Sequence, residues 1–148
     1  MNRSQYVPFE LPKLTNSSNT MIIQNGYFNG NSIASFNISN IGVLKSIVIG
    51  DNCFGKVRVF ELDRLDELES VVIGQQSFKI SSSERSDGSY RIVNCPKLKS
   101  IQISIDSFSD YHSFELNNLP SLQSIDIGWY CFRYAPSFSL TGLIDELV

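Results

Sequence analysis

Apolar and polar residues alternate along this chain in short bursts, and the bursts recur. The plainest is Thr20-Met21-Ile22-Ile23, Ser46-Ile47-Val48-Ile49, Ser70-Val71-Val72-Ile73, Ser100-Ile101-Gln102-Ile103 and Ser124-Ile125-Asp126-Ile127, spaced by 26, 24, 30 and 24 residues. Eight residues after each Ser or Thr stands Phe28, Phe54, Phe78, Phe108 or Phe132. A second burst follows: Phe36-Asn37-Ile38, Phe60-Glu61-Leu62, Tyr90-Arg91-Ile92, Phe114-Glu115-Leu116 and Phe138-Ser139-Leu140. Alternation of period two predicts strands with one buried face. A longer period of this kind predicts stacked coils, each touching mainly its neighbours. The expected fold is mainly β: a right-handed repeat solenoid with parallel strands, about five coils and little helix.

Residues 1–18 are read as an N-terminal partial coil or cap around Phe9-Glu10-Leu11, with Pro8 and Pro12 limiting edge pairing. Residues 19–148 form the solenoid, its coils starting near 19, 45, 69, 99 and 123. On the first strand of each coil, residues such as Ile47 and Ile49 point inward, while Ser46 and Val48 point outward. Gly50, Gly74 and Gly128 follow it and suit a turn with positive φ. The phenylalanines form an interior column. The second strand is again in-out-in, and a short corner follows with Leu65 and Leu68, or Leu119 and Leu122, facing inward. The third coil is six residues longer, between Phe78 and Tyr90. That polar stretch is expected to loop out from a corner, either as a binding loop or as a tolerated surface loop. At the far end Leu147 stands where a next first strand would begin, with no polar cap. This fits either a fragment of a longer array or an end that pairs with another copy.

Composition narrows the partners. Net charge is −3 and only 18% of residues are charged, which argues against nucleic acid, since its binders present a clustered basic face. No apolar run is long enough for a membrane span, and the first residues lack the apolar core of a secretion signal. Cys53 and Cys131 share a repeat position three coils apart. At roughly 14 Å, from the inter-strand spacing, they cannot bridge. Cys95 falls where other coils place Ile41, Leu65, Leu119 and Leu143, so it reads as a small buried apolar residue. A reducing, cytoplasmic setting is the simpler expectation; a fragment of a cell-surface protein is the other.

Leu44-x-x-Ile47-x-Ile49-x-x-Asn52-x-Phe54 resembles the leucine-rich-repeat signature, as do Leu68 to Phe78, Leu98 to Phe108 and Leu122 to Phe132. The Ile-x-Ile-Gly flavour is similar to BspA-like leucine-rich-repeat proteins, over about residues 19 to 148. That resemblance implies binding to proteins or surfaces, without enzymatic activity and often at the cell surface. The chain departs from the pattern in two ways. The ladder asparagine is present only at Asn52, with Gly26, Gln76, Asp106 and Tyr130 in its place elsewhere. A second strand replaces the helix, so a curved horseshoe and a straighter β-solenoid are both open.

Stacking turns repeat positions into surface columns. Asn37, Glu61, Arg91, Glu115 and Ser139 form one, and Lys45, Glu69 and Lys99 alternate in charge in another; both read as register-setting ladders. Glu61 and Glu115 lie two coils apart, about 9.6 Å from the strand spacing, near the upper end of an inverting glycosidase pair. Arg91 between them would hold both ionised, which disfavours a general acid. No metal spacing, no glycine-rich phosphate loop and no nucleophile with a partner histidine is read from the sequence, so catalytic, cofactor and metal residues are expected to be none. The candidate partner-binding residues are Ile22, Val48 and Val72 on the outer face of the first strands, and Tyr111, His112, Trp129, Tyr130, Arg133 and Tyr134 around the last coils. An outward apolar strip marks a contact site or merely stabilises strands; Tyr, Trp and Arg are types enriched at interface hot spots. The expected function is a non-catalytic module binding a protein partner. The alternatives are a structural repeat that self-associates through open solenoid ends and a carbohydrate-binding β-solenoid.

Overall fold

The computed structural model describes residues 19–136 and 138–143, without the side chains of 84–86. The partial coil expected at 1–18 and the end of the array at Leu147 lie outside the described residues. Ten strands follow one another: β1 (Thr20–Ile23), β2 (Ser35–Ser39), β3 (Ser46–Ile49), β4 (Val59–Asp63), β5 (Ser70–Ile73), β6 (Ser89–Val93), β7 (Ser100–Ile103), β8 (Ser113–Asn117), β9 (Ser124–Ile127) and β10 (Phe138–Thr141). Odd and even strands separate into two five-stranded sheets, ordered β1-β3-β5-β7-β9 and β2-β4-β6-β8-β10. Every strand pairs in parallel with its repeat equivalent and with no slip, as in Met21↔Ile47 and Phe60↔Tyr90. The fold is a β-solenoid of about five turns. The helix content of the described residues is a single 3-10 turn at Ser82–Asp87.

The register is specified by the interior. In β3, Ile47 and Ile49 are buried while Ser46 and Val48 are half-buried on the outside; a one-residue slip would exchange the two faces. Two aromatic columns run along the axis. Phe28, Phe54, Phe78, Phe108 and Phe132 stack with centroids 5.2, 4.9, 4.6 and 5.2 Å apart. Phe36, Phe60, Tyr90, Phe114 and Phe138 stack at 5.1, 4.8, 4.9 and 4.5 Å. These distances follow the spacing of hydrogen-bonded strands. The columns meet edge to face, as between Phe78 and Phe60 at 5.3 Å and 87°, the arrangement that pairs a ring's positive edge with a negative face.

The turns correct one expectation. Gly50, Gly74 and Gly128 do not carry positive φ. Their missing side chains instead let adjacent coils close up. A Cβ on Gly74 would lie 2.6 Å from the carbonyl carbon of Gly50, and one on Gly128 would lie 2.7 Å from the nitrogen of Ile105. The left-handed residues are elsewhere, at three places per coil. One comprises Gly26, Asn52, Gln76, Asp106 and Tyr130, and another the five phenylalanines of the first column. The third is the corner after the second strand: Asn40, Arg64, Asn94, Asn118 and Gly142. A phenylalanine held there costs about 1–3 kcal/mol, offset by the ring stacking to which the turn aims it. At the corner, polar side chains link layer to layer: Asn118 Nδ2 donates to Asn94 Oδ1 at 2.9 Å, and Arg64 Nε to Asn40 Oδ1 at 3.3 Å.

A polar ladder explains why Ser and Cys share the position just before the phenylalanine in coils two to five, at Cys53, Ser77, Ser107 and Cys131. The Ser77 hydroxyl donates to the Gly50 carbonyl at 2.7 Å, and Ser107 to Gly74 at 2.6 Å. The thiols of Cys53 and Cys131 make the same bond to Gln24 and Ser104, each at 3.1 Å. The position demands a small side chain carrying one hydrogen donor, and both residue types supply it.

Candidate functional site

The outer face of the odd-numbered strands is set by pairing. Ile22 lies opposite Val48, and Val48 opposite Val72, so the three candidates form one row across coils one to three. Ile22 is 60% exposed, while Val48 and Val72 are half-buried. Ile22 and Val48 line a shallow open depression with Gln24 and Asn25. Beside the row, Ser46 Oγ donates to Thr20 Oγ1 at 3.0 Å. The row continues as Gln102 and Asp126, both exposed, so the surface is apolar at one end and polar at the other.

Trp129, Tyr130, Arg133 and Tyr134 gather on the turn between β9 and β10. Trp129 is 77% exposed and Tyr130 55%. The Arg133 guanidinium carbon lies 5.0 Å from the Tyr134 ring centre and 5.6 Å from that of Tyr130, within cation–π range. The turn departs from its four predecessors. Where Trp129 stands, earlier coils carry Asn25, Asp51, Gln75 and Ile105. The side-chain oxygens of Asn25 and Asp51 receive the backbone N–H of Asp51 at 2.7 Å and of Gln75 at 2.9 Å. Tyr130 occupies a left-handed position, with φ 68°, that earlier coils give to Gly, Asn, Gln and Asp. An aromatic ring there runs against local preference, because β-carbon crowding makes left-handed backbone unfavourable. Sequence reasoning missed Ile105, 41% exposed at the repeat position of Trp129 one layer below. The alignment of coils was the signal that could have found it.

Tyr111 is a correction: it is fully buried and belongs to the interior. In the second coil Val57, three residues past the phenylalanine, fills that interior place. In the third coil the corresponding residue, at the end of the insertion, is Asp87, which is exposed. Tyr111, from the fourth coil, crosses the gap, and its hydroxyl donates to the Val57 carbonyl at 2.5 Å. Gly88 makes room, since a Cβ there would lie 2.8 Å from the Tyr111 Cα. The insertion is accordingly less looped out than its polarity suggests, with Ile80 buried among the core residues. His112 is exposed at the entry to β8, where its backbone N–H donates to the Gly88 carbonyl at 2.8 Å. Among the described residues no hydrogen bond or ring contact joins it to the aromatic turn.

Two further features bear on chemistry. Arg91 bridges both carboxylates of its column, through NH1 to Glu61 and through Nε to Glu115 at 2.9 Å. By contrast, no ion pair forms among Lys45, Glu69 and Lys99, whose backbones alone are linked from layer to layer. All three cysteines are free thiols. Burial pushes the Cys95 thiol up to about 11 and raises that of Cys131, away from the thiolate a nucleophile needs. Among the described residues, no cluster of three or more His, Cys, Asp or Glu could hold a metal ion, and no helix is long and apolar enough to cross a membrane. Comparison with known protein families, with curated proteins and with solved structures finds no match.

Proposed function

We propose that this solenoid is a non-catalytic interaction module that binds a protein partner. One observation carries the reading: an exposed indole, two tyrosines and an arginine share a single turn whose counterparts in earlier coils are mostly polar and, at two of them, occupied by bonds within the stack. Large amphipathic rings beside a guanidinium form the chemistry of interface hot spots. The Ile22–Val48–Val72 row offers a second, weaker surface. Leucine-rich-repeat character of BspA-like flavour belongs to the same proposal, supported by the Leu-x-x-Ile-x-Ile spacing from Leu44 to Phe54. A reducing compartment fits the three free thiols. Replacing Trp129 and Tyr134 together by Ala should weaken partner capture by at least about 2 kcal/mol, the threshold of a hot spot, with no change in unfolding midpoint. Unchanged capture removes this turn from the proposal.

Self-association is the second reading. It is favoured by the outward Ile22–Val48–Val72 row, of which Ile22 is 60% exposed. Sedimentation over a wide concentration range separates the two readings, since only self-association makes size rise with concentration.

A further inference from the structure

Three dipeptides carry the chemistry of succinimide formation: Asn25-Gly26, Asn29-Gly30 and Asp87-Gly88. In each, the side-chain carbonyl carbon lies one ring closure from the next backbone nitrogen, and a glycine, having no side chain, leaves that nitrogen open to it. The fold treats the three differently. At the first, both reacting groups are engaged: Asn25 Oδ1 receives the Asp51 N–H at 2.7 Å, and the Gly26 N–H donates to the Asp51 carbonyl at 2.9 Å. At the second, the amide is held at both ends. Asn29 Nδ2 donates to the Gly26 and Asn52 carbonyls at 3.0 and 2.9 Å, and its Oδ1 receives the Gly55 N–H at 2.6 Å. Asp87 is held far less. Its side chain is 60% exposed, and its one ion pair among the described residues is with Arg58, at 3.9 Å. It ends a 3-10 turn of six residues, a conformation of poorer hydrogen-bond geometry that rarely runs so long.

We infer that Asp87–Gly88 is a backbone-modification site, where the chain isomerises to isoaspartate through a succinimide. The Gly88 nitrogen attacks Asp87 Cγ, a nitrogen–Cγ bond forms, and the carboxyl hydroxyl leaves with the amide proton as water. A second water opens the ring at the Asp87 main-chain carbonyl and breaks the original peptide bond. Mass is unchanged, no electron is transferred, and water is the only co-reactant. The main chain now runs through Asp87 Cβ and Cγ, one carbon longer. That carbon falls on a joint. The Gly88 carbonyl receives the N–H of His112 at 2.8 Å and of Ser113 at 3.2 Å. Gly88 also packs so close to Tyr111 that an added Cβ would lie 2.8 Å from its Cα. Lengthening the chain before Gly88 therefore loosens the fourth coil from the third at the entry to β8. The inference is independent of what the solenoid binds.

The full chain is kept for weeks at neutral pH and physiological temperature, folded and, in parallel, unfolded in denaturant, and its peptides are mapped by mass spectrometry. From the folded chain, the peptide holding Asp87 is expected to yield a second chromatographic form of unchanged mass. That form should resist a protease that cleaves before Asp, and should take methyl label from S-adenosylmethionine through an isoaspartyl carboxyl methyltransferase. Asn25 and Asn29 should stay unmodified while folded and deamidate first when unfolded. Asp87→Glu keeps the charge opposite Arg58 but lengthens the ring to be closed, and that peptide should lose its label. No label on the folded chain, label on that peptide after Asp87→Glu, or modification of Asn25 or Asn29 ahead of Asp87 in the folded chain overturns the inference. Hydrogen exchange of the isomerised fraction reads the joint. The His112 and Ser113 amides should exchange at least about tenfold faster than in the unmodified chain, as when one hydrogen bond is lost. Unchanged exchange there overturns the effect on the fourth coil.

Discussion

In the second coil Ile47, Ile49, Phe60 and Leu62 are at most 1% exposed. In the fifth coil the same repeat positions hold Ile125, Ile127, Phe138 and Leu140, the first two half-buried and the last two exposed. Both coils obey the same alternation. They differ in neighbours: β3 and β4 are paired on both sides, whereas β9 and β10 each end a sheet. Alternation aims a side chain at the axis, and the adjoining layer buries it, as expected where stability is a sum over neighbour contacts. The turns diverge in step. In coils two to four the phenylalanine N–H donates to the residue just before the preceding phenylalanine: Tyr27, Cys53 and Ser77. In coil five Phe132 donates to Phe108 itself. The last turn has slipped by one residue, and it is the turn that displays Trp129 and Tyr130.

The largest test of this contrast is one truncation at two depths. Phe78 is fully buried, stacked between Phe54 and Phe108 and edge-on to Phe36 and Phe60. Phe78→Ala should cost about 3–5 kcal/mol. Phe138→Ala, at the uncovered end of the second column, should cost under about 1 kcal/mol by denaturant unfolding. Equal losses would mean that end layers are as well supported as middle ones, against the nearest-neighbour picture.

High pH gives the next effect. Burial raises the Cys95 thiol to about 11 and lifts the Tyr90 and Tyr111 phenols above their ordinary value. In each case the unfolded chain releases its proton first, so the folded form loses stability as pH climbs. For Cys95 the loss starts near pH 9 and levels off near 11; for the tyrosines it starts near pH 10. The slope is about 1.4 kcal/mol per pH unit for each group that is ionised only when unfolded. Unfolding midpoints between about pH 8 and 11 should fall along this course, and Cys95→Ala should flatten its early part.

The buried tyrosines also separate from each other in sign. Tyr111→Phe strands the Val57 carbonyl inside the solenoid and should cost about 1–3 kcal/mol. The Tyr90 hydroxyl has no partner among the described residues, so Tyr90→Phe removes an unmet donor and should be neutral or stabilising by up to about 1 kcal/mol. Matched losses for the two would mean that the Tyr90 hydroxyl is bonded in solution.

The repeat made most of this fold legible, because every coil places the same side-chain type at the same depth. The aromatic column from Phe28 to Phe132 and the in-out order of the strands follow from spacing alone. Gly50, Gly74 and Gly128 were misread, since a recurrent glycine is equally consistent with positive φ and with close approach of two backbones. Tyr111 was misread for another reason. Its burial depends on an empty place in the coil below, and no periodicity within its own coil records that vacancy. Trp129 and Tyr130 were legible by residue type, as rings of the kind enriched at interfaces; their exposure is what the structure adds.

The smallest expected effect concerns the outer ladder of the even-numbered strands. Arg91 joins Glu61 and Glu115 across three layers, but its side chain is 42% exposed. Ion pairs in that setting contribute about 0.2–1 kcal/mol each and weaken with salt. Arg91→Gln should therefore lower stability by no more than about 1 kcal/mol at low salt, and the deficit should shrink as salt is raised. The ladder's other consequence is register. Glu61 and Glu115 face the same guanidinium from opposite sides, so removing it leaves two carboxylates in one column without an intervening cation. A triple replacement, Glu61→Gln with Arg91→Gln and Glu115→Gln, should recover most of what the single change loses. If the single change instead costs as much as Phe78→Ala, the ladder and not the aromatic interior would be holding the layers in register.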